Sequence, residues 1–299
     1  MEIRRLLVVL KHQAIVEDTI QATPLLHVRN IIAALTARDV LLKCKAANAV
    51  GSLCISRVAG QHLLQGYGDA IGHSVAKMAT RKNQWVQGDA FFVLGWIVVI
   101  AEETMLQKIA AFVPMVVACL HRNLHLPFEM DRRHVNETSR PTSSQRCKMA
   151  LVSSEQASNF RVYALVLLLN LSQRDVNVFA HQLDHVFSML RDLVVQLLTS
   201  APRKARRDEA TTAWVTTWFD PAEYVQLVRL AITLLSVLTD QIDQAAARLL
   251  ELKTLPLLLR MKRALNTAEV RELMGEVDES QDLLARRLDA LVQRLITCK

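Results

Sequence analysis

The feature that most constrains this chain is a motif written twice in a sequence that is sparing with glycine. The stretches "KAANAVGSLCI", from Lys45, and "GDAFFVLGWIV", from Gly88, share the pattern Ala-x-x-x-aliphatic-Gly-x-aliphatic. The copies are Ala46-Val50-Gly51-Leu53 and Ala90-Leu94-Gly95-Ile97, 44 residues apart, a period that belongs to helical repeat arrays. Two later stretches, "YALVLLLNL" and "LAITLLSVL", keep the offsets without the glycine, at Ala164-Leu168-Leu171 and Ala231-Leu235-Leu238. Apolar residues at i, i+4 and i+7 line one stripe of a helix, and an alanine heading the stripe lets a neighbouring helix approach closely. Four helices in one frame are therefore expected.

The segments downstream of the long helices are repeated as well. Pro114 comes 24 residues after Ala90 and Pro256 comes 25 after Ala231, each opening an amphipathic segment. Proline is accommodated in the first turn of a helix, where its missing N–H would be unpaired in any case. Pro24 repeats the device, and "GDAIGHSVAKMA", near Gly68, stands at the same place without a proline. The unit reads as a short helix, a medium helix and a long helix. With only 8 glycines and 7 prolines in 299 residues, 51% hydrophobic and 22% charged, the composition excludes a disordered chain and fits an all-α fold with no β-sheet. Long helices are expected around 1–12, 40–57, 84–102, 160–173 and 221–239, with an amphipathic helical cap at 267–298.

This arrangement resembles the armadillo repeat family, with "VQGDAFFVLGWIVVIAEETMLQKIAAFVPMVVACL" the best-matching stretch. HEAT repeats, which also stack helical hairpins near this period, are the neighbouring class. The resemblance implies a right-handed α-solenoid of about four to five repeats over residues 1–299, each burying its apolar face on the next. Two intervals between long helices are overlong. The excess falls at 121–159 and 199–219, polar and aperiodic stretches that read as insertions, and inserted loops often carry function.

The second insertion holds Trp214 and Trp218, one helical turn apart, and the basic cluster Arg203, Lys204, Arg206 and Arg207. Both are secondary candidates for partner contact, the tryptophans as buried anchors and the cluster as a phosphate or localisation patch. The insertion ends at Asp220-Pro221-Ala222-Glu223, a helix-start signature with an N-cap, a proline at N1 and an acid at N3.

Chemistry needs clustered groups, and the sequence offers few. His181 and His185 flank Asp184 in "HQLDH", similar to the two-histidine element of some zinc hydrolases, and His121 and His125 repeat the spacing in "HRNLH". Neither has a third ligand nearby, and Asp184 suits a helix cap, so no metal site is assigned. Cys147 lies between Arg146 and Lys148, without the base and oxyanion donors a nucleophile requires. Glycine-rich phosphate loops and nucleophile elbows are missing. Thr142, Ser143 and Ser144 are exposed-loop candidates for phosphorylation, and the sequons at Asn136 and Asn170 carry no weight in a reducing compartment. No cofactor is implied, and the reading is of a protein that is not an enzyme.

The resemblance also implies an inner face made by the third helices, where nuclear-import receptors of this family repeat a Trp and an Asn four residues apart. Carried onto this chain, the Trp position falls on Asn48, Phe92, Val166 and Thr233, and the Asn position on Ser52, Trp96, Asn170 and Val237. Only Asn170 matches, which argues against capture of basic signals by that ladder. The expected partner surface is Asn48, Ser52, Trp85, Phe92, Trp96, Val99, Val166, Asn170 and Thr233, apolar enough for a helix or hydrophobic peptide of another protein. The rival is a nucleic-acid-binding solenoid that places Lys43, Lys45, Arg81, Lys82 and the 203–207 cluster on phosphates, in keeping with a net charge of +7. A transport-receptor-like adaptor is a further alternative. Five cysteines without paired spacing fit a reducing compartment, cytoplasm first and nucleus second. The longest apolar run, Ala90–Ala101, is shorter than the roughly 20 residues that cross a bilayer.

Overall fold

The computed structural model describes residues 25–124, 160–200, 203–204, 214–215, 221–274 and 279–298. The expected helix at 1–12, most of both insertions, Cys147, Trp218, Arg206, Arg207 and the residues 142–144 lie outside this set. Among the described residues the chain runs α1 (Leu25–Ala34), α2 (Val40–Ile55), α3 (Arg57–Ala79), α4 (Gln84–Ile100), α5 (Glu103–Ala110), α6 (Val113–Asn123) and α7 (160–174). After a 3-10 turn at Val176–Phe179 come α8 (Leu183–Thr199), α9 (Pro221–Gln241), α10 (Ala245–Glu251), α11 (Thr254–Leu265), α12 (Ala268–Met274) and α13 (Glu279–Thr297).

The helix starts follow from short polar side chains. Asp39 accepts hydrogen bonds from the backbone N–H of Leu41 and Leu42 at the head of α2, and Asn83 does the same for Trp85 and Val86 at the head of α4. Each such cap stabilises its helix by about 1 kcal/mol. Pro114 is the second residue of α6 and Pro256 the third of α11, both inside the first turn. Every member of the four Ala-headed stripes is buried, from Ala46, Val50 and Leu53 through to Ala231, Leu235 and Leu238.

Two features depart from expectation. A short helix followed by a medium one is expected between α2 and α4, yet α3 is a single helix of 23 residues. Its buried stripe Leu63, Ile71, Val75 and Met78 keeps helical period straight through Gly66, Gly68 and Gly72. A glycine inside a helix costs about 1 kcal/mol, which this apolar burial outweighs, and no proline interrupts the backbone. The fold is helical as expected, but not without strand. Arg203–Lys204 pairs antiparallel with Trp214–Val215 inside the second insertion, in the register Arg203 to Val215 and Lys204 to Trp214. Two residues per strand are too few to write an alternating pattern, so this ladder left no sequence signal.

The chain, expected to form one repeat domain, groups into two compact units. The first holds Met1–Phe112 with Val166–Arg174, the second Val113–Leu165 with Asp175–Lys299. In the first, α4 packs chiefly on α2 and α3. In the second, α9 is flanked by α8 and the terminal helix α13. There the guanidinium of Arg161 donates to Glu223 Oε1 at 2.9 Å and to the carbonyl of Asn123 at 3.3 Å, with both charged side chains almost wholly buried. Glu223 thus serves as the counter-ion of a residue 62 positions earlier, a role its N3 position alone does not announce. Two stretches, Glu103–Asn123 and Ala222–Gln241, are long and apolar enough to cross a membrane; the first is broken by the turn at 111–112, and most of the second is buried inside its unit.

Candidate partner-binding surface

The repeated glycines explain how the long helices of the first unit are spaced. A Cβ added to Gly51 would lie 2.6 Å from Phe92 Cδ1, so the ring of Phe92 occupies the space that a side chain on α2 would fill. A Cβ on Gly95 would lie 3.6 Å from the Cα of Leu167 and 3.7 Å from its nitrogen, so α4 in turn receives the backbone of α7. At each glycine, one long helix accepts the next.

Polar side chains tie the same three helices together. Asn48 donates to Asp89 Oδ1 at 3.0 Å, linking α2 to α4, and Asn170 donates to the carbonyl of Gly95 at 2.9 Å, linking α4 to α7. Arg174 then donates to the carbonyls of Val99 and Ala101, at 3.3 and 2.9 Å. Those carbonyls belong to the last turn and cap of α4, where the helix itself supplies no partner, and a cation is favourable at that end.

With this packing, the 44-residue offset aligns outward-facing positions. Asn48 corresponds to Phe92, Ser52 to Trp96 and Ile55 to Val99, and Val166 and Asn170 continue the row on α7. Asn48, Ser52, Phe92, Trp96, Val166 and Asn170 are each half-buried. Ile55 and Val99 are 54% and 42% exposed. Phe92 is not wholly free for a partner, because one side of its ring rests on Gly51. Asn48 and Asn170 are likewise already engaged, through the bonds described above. The side chains of this row with unspent apolar surface are therefore Ile55, Trp96, Val99 and Val166.

Beneath the row lies a buried carboxylate. Asp89 is 6% exposed, with Asn48 donating to Oδ1 and the thiol of Cys44 beside it, while Oδ2 has no partner among the described residues. Burial raises the Asp89 pKa to about 6, opposed by hydrogen bonds from Cys44 and Asn48. Burial, reinforced by the nearby Asp89 carboxylate, also raises the Cys44 thiol far above its ordinary value, so Cys44 is an inert core thiol. Nothing in the sequence pattern singled out Asp89, although an acid near the start of an otherwise apolar helix was a visible irregularity.

The remaining candidates are dispersed. Trp85 is half-buried in the first turn of α4, while Lys45, Arg81 and Lys82 are exposed or nearly so and Lys43 is half-buried. Thr233 belongs to the second unit, where Arg287 of α13 donates to its hydroxyl at 3.1 Å. Arg203, Lys204 and Trp214 are described through the backbone of the short ladder. Among the described residues no three metal-ligating side chains come together. His121 instead meets Asp192 at 2.8 Å, and Asp184 lies within the first turn of α8, close to Arg248, rather than at the cap.

No protein-family model matches the sequence, and no curated protein matches it significantly. Among solved structures, the fold is similar to the crystal structure of an engineered protein from the Northeast Structural Genomics Consortium. That match has a TM-score of 0.51 at 12% identity, covering 99% of this chain and 89% of the other. A second engineered protein from the same source gives a TM-score of 0.40 at 13% identity, over 97% of this chain and 74% of the other. The first likeness is one of fold, and it supports the helical-repeat class without separating armadillo from HEAT.

Proposed function

We propose that this chain is a non-catalytic binding scaffold of armadillo-like repeats, whose working surface is the outward row on α2, α4 and α7 and whose partner presents an amphipathic helix. One observation carries the reading: Ile55 and Val99, at corresponding positions of α2 and α4, are both exposed, and half-buried Trp96 lies one turn before Val99, whereas the other exposed aliphatic residues of α2, Val40, Leu41 and Leu42, cluster at its opposite end. Adjacent exposed apolar side chains on a rigid support mark interaction sites more often than isolated ones do. Phe92 and Trp96 on successive turns, with Val99 a further turn along, match the i, i+4, i+7 anchors by which a partner helix docks.

The test pairs two substitutions of exposed side chains, Ile55 and Val99, with one of the half-buried Trp96. Ile55→Asp and Val99→Asp should leave the melting temperature nearly unchanged, since exposed substitutions shift stability by about 0.5 kcal/mol or less. The same variants, and Trp96→Ala, should weaken partner capture by about 2 kcal/mol or more, roughly thirtyfold. Capture that survives all three substitutions, or that collapses with modest salt as phosphate binding does, overturns the proposal.

A further inference from the structure

In the second unit, α6 and α8 bound an open cleft of about 630 Å³. Its apolar floor is Pro114, Val117 and Ala118 of α6. Around that floor stand His121, Arg122, Gln182, His185 and Ser188, all able to donate a hydrogen bond. Among the described residues no carboxylate lines the cleft. Those nearby are already engaged: Asp192 with His121 and Arg191, and Asp184 and Glu251 with Arg248. Arg122 and His185 are exposed, and among the described residues neither has a carboxylate partner. The cleft therefore combines an apolar base with donors and a fixed positive charge.

We infer that this cleft binds an acidic peptide segment of a partner protein, seating an aliphatic side chain on Pro114, Val117 and Ala118 and setting a neighbouring carboxylate against Arg122 and His185. Charge selects the occupant. The chain's own segment 125–159, which comes directly after α6, carries five Lys or Arg against four Asp or Glu and is not complementary. A nucleic acid is disfavoured because the lining holds one permanent cation, Arg122, instead of the row of them that tracks a phosphate backbone. This site is independent of the row proposed in the first unit.

The experiment is selection of a random displayed peptide library on the intact chain, with counter-selection on the Arg122→Glu, His185→Glu double variant. Both positions are exposed, and equal melting temperatures for the two proteins check that the fold is retained. The expected yield is peptides with Asp or Glu beside an aliphatic residue, bound about tenfold or more tightly by the wild type than by the double variant. Replacing the acids of a selected peptide with lysine should invert that preference. Trp96→Ala should leave these affinities unchanged, which separates this cleft from the first unit's row. Selection of basic or neutral peptides, equal binding to both proteins, no enrichment, or better binding of a single-stranded oligonucleotide than of the selected peptides overturns the inference.

Discussion

In the first unit the carboxylate of Asp89 is buried between α2 and α4 beside an amide and a thiol, whereas in the second the carboxylate of Glu223 is buried between α7 and α9 beside a guanidinium. The same functional group is thus kept out of water in two different ways. A buried carboxylate with a full counter-charge keeps its ionised form, while one with only neutral donors is driven towards its protonated form. Asp89, at a pKa of about 6 against an ordinary 3.8, is ionised at neutral pH at a cost on the order of 3 kcal/mol. The first unit therefore holds a carboxylate that burial disfavours beside Asn48 of α2, whereas the buried carboxylate Glu223 of the second unit is paired with a guanidinium.

The sharpest break of this comparison comes from the ion pair. Arg161→Met should cost about 3–5 kcal/mol in urea unfolding, because it strands Glu223 in the interior. Replacing both partners, as in Arg161→Met with Glu223→Leu, should cost far less, since no uncompensated charge is left behind. Equal losses in the single and double variants would mean that the pair is not the reason for the burial.

Asp89→Asn should act in the opposite direction. The amide keeps an acceptor for Asn48 and carries no charge, so stability at pH 7 should rise by about 2–3 kcal/mol. The sign follows from linkage. With its folded pKa raised, Asp89 supports folding fully below about pH 4 and progressively less as pH climbs through 6. The advantage of Asp89→Asn should therefore vanish by pH 4. A gain that is independent of pH would point to packing, and a loss at pH 7 would contradict the assignment of Asp89 as an unpaired buried charge.

Smaller effects distinguish the two repeated glycines. Gly51→Ala must displace the Phe92 ring and should cost about 1–3 kcal/mol, measured by chemical unfolding. Gly95→Ala meets the α7 backbone only at ordinary contact distance and should be neutral or stabilise by up to about 1 kcal/mol. Equal responses at the two sites would show that the shared motif does one job in both copies.

The contrast also shows what the sequence can carry. Helices such as α2 and α4 were legible because a strong apolar period and a capping residue mark each one locally, so the expected 84–102 is observed as Gln84–Ile100. The continuity of α3 was not legible, because three glycines signal a break that only the burial of Leu63, Ile71 and Val75 overrides. Pairings such as Arg161 with Glu223 and Asn170 with Gly95 were invisible, since contact across 62 and 75 residues depends on tertiary packing rather than on spacing. The outward row lies between. Its period was readable, but that Phe92 rests on Gly51 while Ile55 and Val99 stay exposed required the packed helices.

The central claim is that the row of Ile55, Trp96 and Val99 is where this chain meets another protein. Site-specific photocrosslinking tests it most directly, with a photoreactive residue placed singly at Ile55, at Val99 and, as a control, at exposed Gln61 of α3. The account predicts the same discrete protein adduct from Ile55 and Val99, none from Gln61, and loss of the adduct when Trp96→Ala is added. Adducts from all three positions alike, or from Gln61 alone, would contradict it.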